Sequence, residues 1–253
     1  MSPVGTVARL SGVEFEVCWE FLQLGELPYV FDLPSPGRDW EERRRLLHQV
    51  IADLTARGLA DRGRLVPELA ESLSLLADFR WAVDARVFTE HPVRARGAVA
   101  GERAVLALLD AGNQVELWQL PDHALLGQLV ALVGAVPTPR VTSANVRTQV
   151  LEAAQRATGG DPLRLAAELV NLGEPAAQAR ALAHACTGIV AMGQFSAVTL
   201  DADGVRRGSA NAVGWHTTEA GLFLNLRNDG WITVTPGSPT QLTAQLRRLL
   251  GRE

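Results

Sequence analysis

The side chains in this chain from which a catalytic or metal site could be assembled are five histidines, two cysteines and 28 carboxylates. Nucleophilic catalysis needs a nucleophile, a base and a group that orients the base. His48, His91, His123, His184 and His216 fall one at a time on helix, loop and strand patterns, with no such set around any of them. The fragment Gly193-Gln194-Phe195-Ser196 lacks the spacing and the closing glycine of a nucleophile elbow. His184 and Cys186 are two potential zinc ligands where three or four are needed, and no second pair completes them. Gly159-Gly160-Asp161 reads as a loop and a helix cap, Glu41-Glu42 as a solvated helix face, and Asp201 with Asp203 as a hairpin turn.

All 24 basic residues are arginine. Without lysine the chain has no Schiff-base nucleophile, no pyridoxal-phosphate anchor and no phosphate-loop lysine. The expectation is a protein with no catalytic residues, no cofactor and no metal, acting by binding. Exposed apolar surface is the tool such a protein uses, since burying it contributes about 25 cal/mol per Å².

Composition agrees. With 47% hydrophobic and 21% charged residues, the 253-residue chain can bury a large core. A formal net charge of −4 gives no electrostatic footprint for nucleic acid and none for an anionic membrane. Arg9, Glu14, Glu16 and Glu20 interrupt the first apolar run, so no secretory leader is expected. No run approaches the roughly 20 apolar residues of a spanning helix. Cys18 and Cys186 sit in apolar stretches and read as buried free thiols. These features place the chain in the cytoplasm.

The elements that would carry a binding surface follow from caps and periodicity. Ser11 and Glu14 have capping-box spacing ahead of Val13, Val17, Phe21 and Leu24, and Gly25 closes that helix. Tyr29 to Leu33 reads as a short extended piece. Asp39 caps a second helix to about Arg57, with Leu46, Leu47, Val50, Ile51 and Leu54 on its apolar face, and Pro67 opens a third. Strands are expected over 79–88, over 98–109 with a turn at Gly101-Glu102, and over 115–117, before a helix over 122–133. Pro137-Thr138-Pro139 marks a boundary, giving halves 1–136 and 140–253. In the second half Ser143 is expected to cap a helix to Ala157, with helices over 161–170 and 175–184. Strands over 189–200, 205–215, 222–227 and 231–235 follow, then a last helix.

The halves repeat. Shifting 104–134 by 117 lays it on 221–251 without a gap, with Leu109 on Leu226, Val115 on Ile232, Leu125 on Leu242 and Leu129 on Leu246. Gly112-Asn113 then meets Asp229-Gly230, both hairpin-turn dipeptides. The fold class expected is α+β: two quasi-symmetric halves, each an antiparallel sheet with flanking helices, in one globular body. A rival function is a DNA-binding regulator. Residues 46–76 give a helix, a turn and a helix in the manner of a winged helix, with Arg43, Arg44, Arg45, Arg57, Arg62 and Arg64 nearby. Interleaved Glu41, Glu42, Asp53, Asp61, Glu68 and Glu71 leave no clean basic face.

An ordered set of short motifs spans about residues 10–250. Trp19-Glu20-Phe21-Leu22 and Leu24-Gly25-Glu26-Leu27-Pro28 open it, followed by Gly37 and Glu41-Glu42-Arg43. Next come Arg57-Gly58-Leu59, Gly63-Arg64-Leu65 and Pro67-Glu68-Leu69. Trp215-His216-Thr217-Thr218-Glu219-Ala220-Gly221 and Asp229-Gly230-Trp231-Ile232-Thr233-Val234-Thr235-Pro236 close it. This set resembles the EspG family. The resemblance implies two quasi-symmetric α+β halves and a cytosolic chaperone of type VII (ESX) secretion. Such a chaperone binds the helical tip of a PPE-like protein in a PE–PPE heterodimer, keeps the pair soluble and directs it to its secretion system. The partner implied is a PPE-like or WXG-type pair, with no nucleic acid and no membrane, and with monomer and homodimer both open. By position, the implied contacts are Ala98, Val99, Glu102, Arg103, Arg147, Phe195 and Val198, with the segment from Ser143 to Ala157 beside them.

Overall fold

Helix starts follow from caps written in the sequence. In the computed structural model, which describes residues 5–37, 39–201 and 203–252, Ser11 Oγ accepts from the Glu14 N–H at 3.2 Å. Glu14 Oε2 accepts from the Ser11 N–H at 2.7 Å, completing the capping box. Asp39 Oδ1 accepts from the N–H groups of Glu41 and Glu42, both at 2.9 Å, and Asp161 caps a later helix in the same way. Pro67 is the first residue of its helix. The outer ends of the expected halves, and Ala202 in the expected turn, lie outside the described residues.

The chain forms two compact units. Unit one comprises Met1–Arg86, His91–Leu129 and Val198–Arg207; unit two comprises Val87–Glu90, Val130–Ala197 and Gly208–Glu253. The first run of elements is β1 (Gly5–Ser11), α1 (Gly12–Phe21), α2 (Trp40–Ala56), a small hairpin β2 (Ala60–Asp61) and β3 (Arg64–Leu65), and α3 (Pro67–Ala77). After these come β4 (Trp81–Phe88), β5 (Val93–Ala100), β6 (Arg103–Leu109), β7 (Gln114–Pro121) and α4 (Asp122–Ala131). The second run is β8 (Ala144–Arg147), α5 (Thr148–Thr158), α6 (Pro162–Asn171), α7 (Ala176–Ala185), β9 (Ala191–Leu200) and the three-residue β10 (Arg206–Gly208). It continues with β11 (Val213–Thr218), β12 (Gly221–Asn228), β13 (Trp231–Pro236) and α8 (Pro239–Leu249).

In unit one the strand order is β1-β7-β6-β5-β4, and in unit two it is β8-β13-β12-β11-β9. Both runs read strand, three helices, four main strands, helix, and in both the first strand pairs antiparallel with the last. Phe15 and Trp19 of α1, Phe31 from the segment between α1 and α2, and Leu69 and Leu73 of α3 share a core with Leu10, Ala98, Val105, Ala107 and Val115. In unit two Leu151, Leu165, Leu169 and Leu182 of α5–α7 meet Val146, Phe223, Ile232 and Val234. On the other face α4 lies so close to β5 that a Cβ on Gly97 would stand 2.6 Å from Leu125 Cδ1.

The superposition of 104–134 on 221–251 changes register once. β7 lies on β13 and α4 on α8 at the shift of 117, and Leu125, Leu129, Leu242 and Leu246 are all fully buried. β6 lies on β12 at 118, because the first hairpin turns through three residues, 111–113, and the second through two, Asp229-Gly230. Leu109 pairs with Val115, and it is Arg227, not Leu226, that pairs with Ile232. A one-residue slip exchanges the two faces of a strand, so a gapless superposition cannot hold across the turn. Asp229 (φ 44°) and Gly230 (φ 78°) both take the left-handed conformation a two-residue hairpin turn needs.

Three further expectations change. Residues 144–147 form β8, and α5 starts at Thr148 with Arg147 as its N-cap. Ser143 Oγ bonds Thr235 Oγ1 at 2.8 Å instead of capping a helix. Tyr29 to Phe31 is a turn, closed by the Phe31 N–H on the Pro28 carbonyl at 3.0 Å. The strand expected over 205–215 is two strands, β10 and β11.

Candidate functional site: an apolar cleft in unit two

Unit two has a cleft of about 390 Å³ between its sheet and the helices α5 and α7. Strand alternation builds it. Met192 and Gln194 of β9 pair in register with His216 and Gly214 of β11; His216 and Gly214 pair in turn with Phe223 and Asn225 of β12. All six therefore face the three-helix side. Leu151 and Gln155 from α5, Leu182 from α7 and Cys186 just after it wall the cleft, and Phe88 and Ile189 stand at its mouth. Phe88 is 55% exposed, Met192 46% and Ile189 37%, a grouping of large apolar side chains that a folded chain normally covers.

The two units differ at one matched position. In unit one Arg96 faces Ala107 across β5–β6; at the same place in unit two Gly214 faces Asn225 across β11–β12. Arg96 fills its position and forms a two-pronged ion pair with Asp84, both bonds 2.7 Å, with the two side chains 10% and 15% exposed. Gly214 carries no side chain, and a Cβ there would stand 3.2 Å from Asn225 Cβ, so the Asn225 side chain lies against it.

His216 fixes the floor. It is buried, its ring is stacked on Phe223 (centroids 5.1 Å apart, planes at 11°), and Nε2 lies 2.8 Å from the Ala185 carbonyl at the end of α7. A carbonyl accepts, so Nε2 carries the proton, and Nδ1 accepts from Asn225 Nδ2 at 3.0 Å. Burial holds the His216 pKa below its ordinary value, and the Ala185 carbonyl opposes that shift. Burial also pushes the Cys186 thiol up to about 11.

The residues expected from sequence are not gathered here. Ala98, Val99 and Phe195 are core side chains, closed to any partner that docks on the folded protein. Phe195 is buried because it points to the face opposite Met192 and Gln194. Val198 is half-buried against the core of unit one. Glu102 and Arg103 are exposed at the β5–β6 turn, where Arg103 Nη1 donates to Glu71 Oε2 at 2.8 Å; they line a larger hollow of about 680 Å³ with Asp122 and His123. That hollow is bigger and mixed in lining, with Leu75, Ala104, Val105, Leu120 and Pro121 beside the charged residues, but none of these is an exposed large apolar side chain. Arg147 is exposed and binds the buried Glu174 through Nε at 3.0 Å. Phe88, Ile189 and Met192 are not among the residues expected from the sequence; for Met192 the alternation along β9, which separates it from Phe195, is a signal the sequence carries.

Two arginines of the winged-helix reading are engaged elsewhere. Arg43 is bound to Glu16 at 2.8 Å and to Glu20, and Arg57 to Glu14 at 2.7 Å and to the Arg9 carbonyl. Among the described residues no three His, Cys, Asp or Glu side chains gather as metal ligands, and no helix is long and apolar enough to cross a membrane.

Helices packed on antiparallel strands in each unit define an α+β fold, with the apolar cleft in unit two. The chain belongs to the EspG family, whose sequence profile it matches over residues 11–248. Among solved structures it is similar to the Mycobacterium tuberculosis type VII secretion system chaperone EspG5, determined in complex with the PE25–PPE41 dimer. The TM-score is 0.73 at 15% identity, over 97% of this chain and 96% of that one. No curated protein sequence matches the chain.

Proposed function

We propose that this protein is a cytosolic chaperone for type VII secretion substrates, acting by binding and not by catalysis. It holds the helical tip of a PPE-like protein, in a PE–PPE-type heterodimer, in the cleft of unit two. The observation that carries this reading is the convergence of Phe88, Ile189 and Met192 on one open cleft in a member of this family. Fully burying such a side chain contributes about 1.5–3 kcal/mol; these three are about half covered already, so they supply an anchor and not the whole affinity. The family and the solved EspG5 complex support the partner class. Exposed Glu102 and Arg103 of unit one and Arg147 of unit two are proposed, each on its own unit, as charged residues that set partner choice. The shared order of elements supports a duplication, with halves at 1–136 and 140–253.

Co-expression with the PE–PPE-type pair encoded nearest to this gene tests the reading. Co-elution on size exclusion, with the pair soluble only when this protein is present, is the expected result. A pair that is soluble alone and elutes separately overturns it.

A further inference from the structure

The first strand of each unit has a neighbouring strand on one side only: β1 pairs with β7, and β8 with β13. The other side of such a strand carries backbone groups that a further strand could join. On β8 these are the N–H groups of Asn145 and Arg147. The Thr148 N–H turns inward to the Gly230 carbonyl at 2.8 Å, and peptide groups alternate in direction along a strand. Side chains take both outward groups. The Asn145 N–H donates to Gln178 Oε1 of α7 at 2.7 Å, and the Arg147 N–H to Glu174 Oε1, just ahead of α7, at 3.2 Å. The Glu174 side chain is 3% exposed, and Arg147 Nε donates to the same oxygen at 3.0 Å. Two residues along a strand span about 6.8 Å and one turn of helix about 5.4 Å, so side chains one turn apart at the start of α7 can meet alternate residues of β8.

We infer that Glu174 and Gln178 stand in for the next strand and close the outer edge of β8 to strand addition by a second copy of this chain. β1 shows the same treatment by other means. The Ser11 N–H donates to Glu14 Oε2 at 2.7 Å, Arg57 Nη2 donates to the Arg9 carbonyl, and the register with β7 breaks between Thr6 and Ala8. Ser11 and Arg147 hold the same place, the N-cap of the helix that follows the edge strand, and each gives its N–H to a glutamate. Glu14 is three residues from Ser11 and belongs to the capping box; Glu174 is 27 residues from Arg147 and arrives only through the tertiary fold. A buried carboxylate is costly unless donors meet it, and this one is met by the edge itself. A second copy is the occupant excluded, because two bared β8 edges can pair antiparallel about a twofold axis, each supplying the same groups to the other. The inference is independent of the chaperone reading.

The test is amide exchange read by NMR, with sedimentation over a range of concentrations, on the full chain; each variant is checked by thermal melting. In the unsubstituted protein the Asn145 and Arg147 amides should exchange slowly although they lie on an edge. Glu174→Leu with Gln178→Leu removes both acceptors and should speed both amides about tenfold or more. The same variant should self-associate at least about tenfold more tightly than the unsubstituted protein. Glu174→Gln with Gln178→Glu keeps an acceptor at each place and should do neither. Asn145→Pro, added to the double leucine variant, removes an outward N–H and should reverse the self-association. Unchanged exchange or unchanged association in a folded double leucine variant would overturn the inference, as would association that Asn145→Pro leaves intact. If the double variant does not fold, Gln178→Leu alone, at a half-buried position, decides. It should speed the Asn145 amide and leave Arg147 slow, and an Asn145 amide that stays slow overturns the inference.

Discussion

Two thiols in one chain report on two environments. Cys18 is buried in the core of α1, with its pKa pushed up to about 12 by burial and then by Glu14. Cys186 lines the cleft and is pushed up to about 11. Only the thiolate attacks, so both are slow near neutral pH, but only Cys186 opens onto a space a reagent can enter. Timed alkylation at pH 7.5, read by mass spectrometry, should modify Cys186 alone in the folded protein. Bound partner should slow it at least severalfold, and Cys18 should react only in denaturant. His216 makes a pH prediction. Its folded pKa lies below the ordinary 6.5, so the unfolded chain takes up a proton that the folded protein refuses. The stability this contributes is complete above about pH 6.5 and is lost as pH falls below it. Urea midpoints measured between pH 7 and 5 should fall less in His216→Phe than in the unsubstituted protein.

At the scale of elements, caps and ion pairs hold the strand–helix junctions. Ser11→Ala removes the side-chain half of the capping box and should cost about 1 kcal/mol in denaturant unfolding, with no change in the cleft. Arg96→Met strands Asp84 in a nearly dry site and should cost about 3 kcal/mol; adding Asp84→Leu should recover most of it, as for other buried pairs replaced by apolar side chains. Most element starts were legible because Ser11, Asp39, Pro67 and Asp161 act over three or four residues, within reach of a reading along the chain. β8 was not. Four extended residues ahead of a helix look like its first turn, and only pairing with β13 makes them a strand. β1 was missed for the same reason, since its partner β7 lies more than a hundred residues on. The site was half legible. Alternation separates Met192 and Gln194 from Phe195, but which face stays uncovered depends on how far three helices reach over a sheet.

At the scale of the whole molecule, two units share one order of strands and helices and differ in what lies beneath their three-helix layers. α1–α3 cover a large apolar core, and α5–α7 leave a cleft with exposed Phe88, Ile189 and Met192 around it. The reading proposed above assigns binding to that cleft of unit two. The most direct test of that assignment is the affinity of the purified PE–PPE-type pair for Met192→Asp, set beside Arg62→Ala on the small hairpin of unit one. Both variants should melt within a few degrees of the unsubstituted protein. Met192→Asp should lose binding at least a hundredfold and Arg62→Ala should keep it. Undiminished binding by a folded Met192→Asp protein would contradict the claim that the cleft of unit two holds the partner.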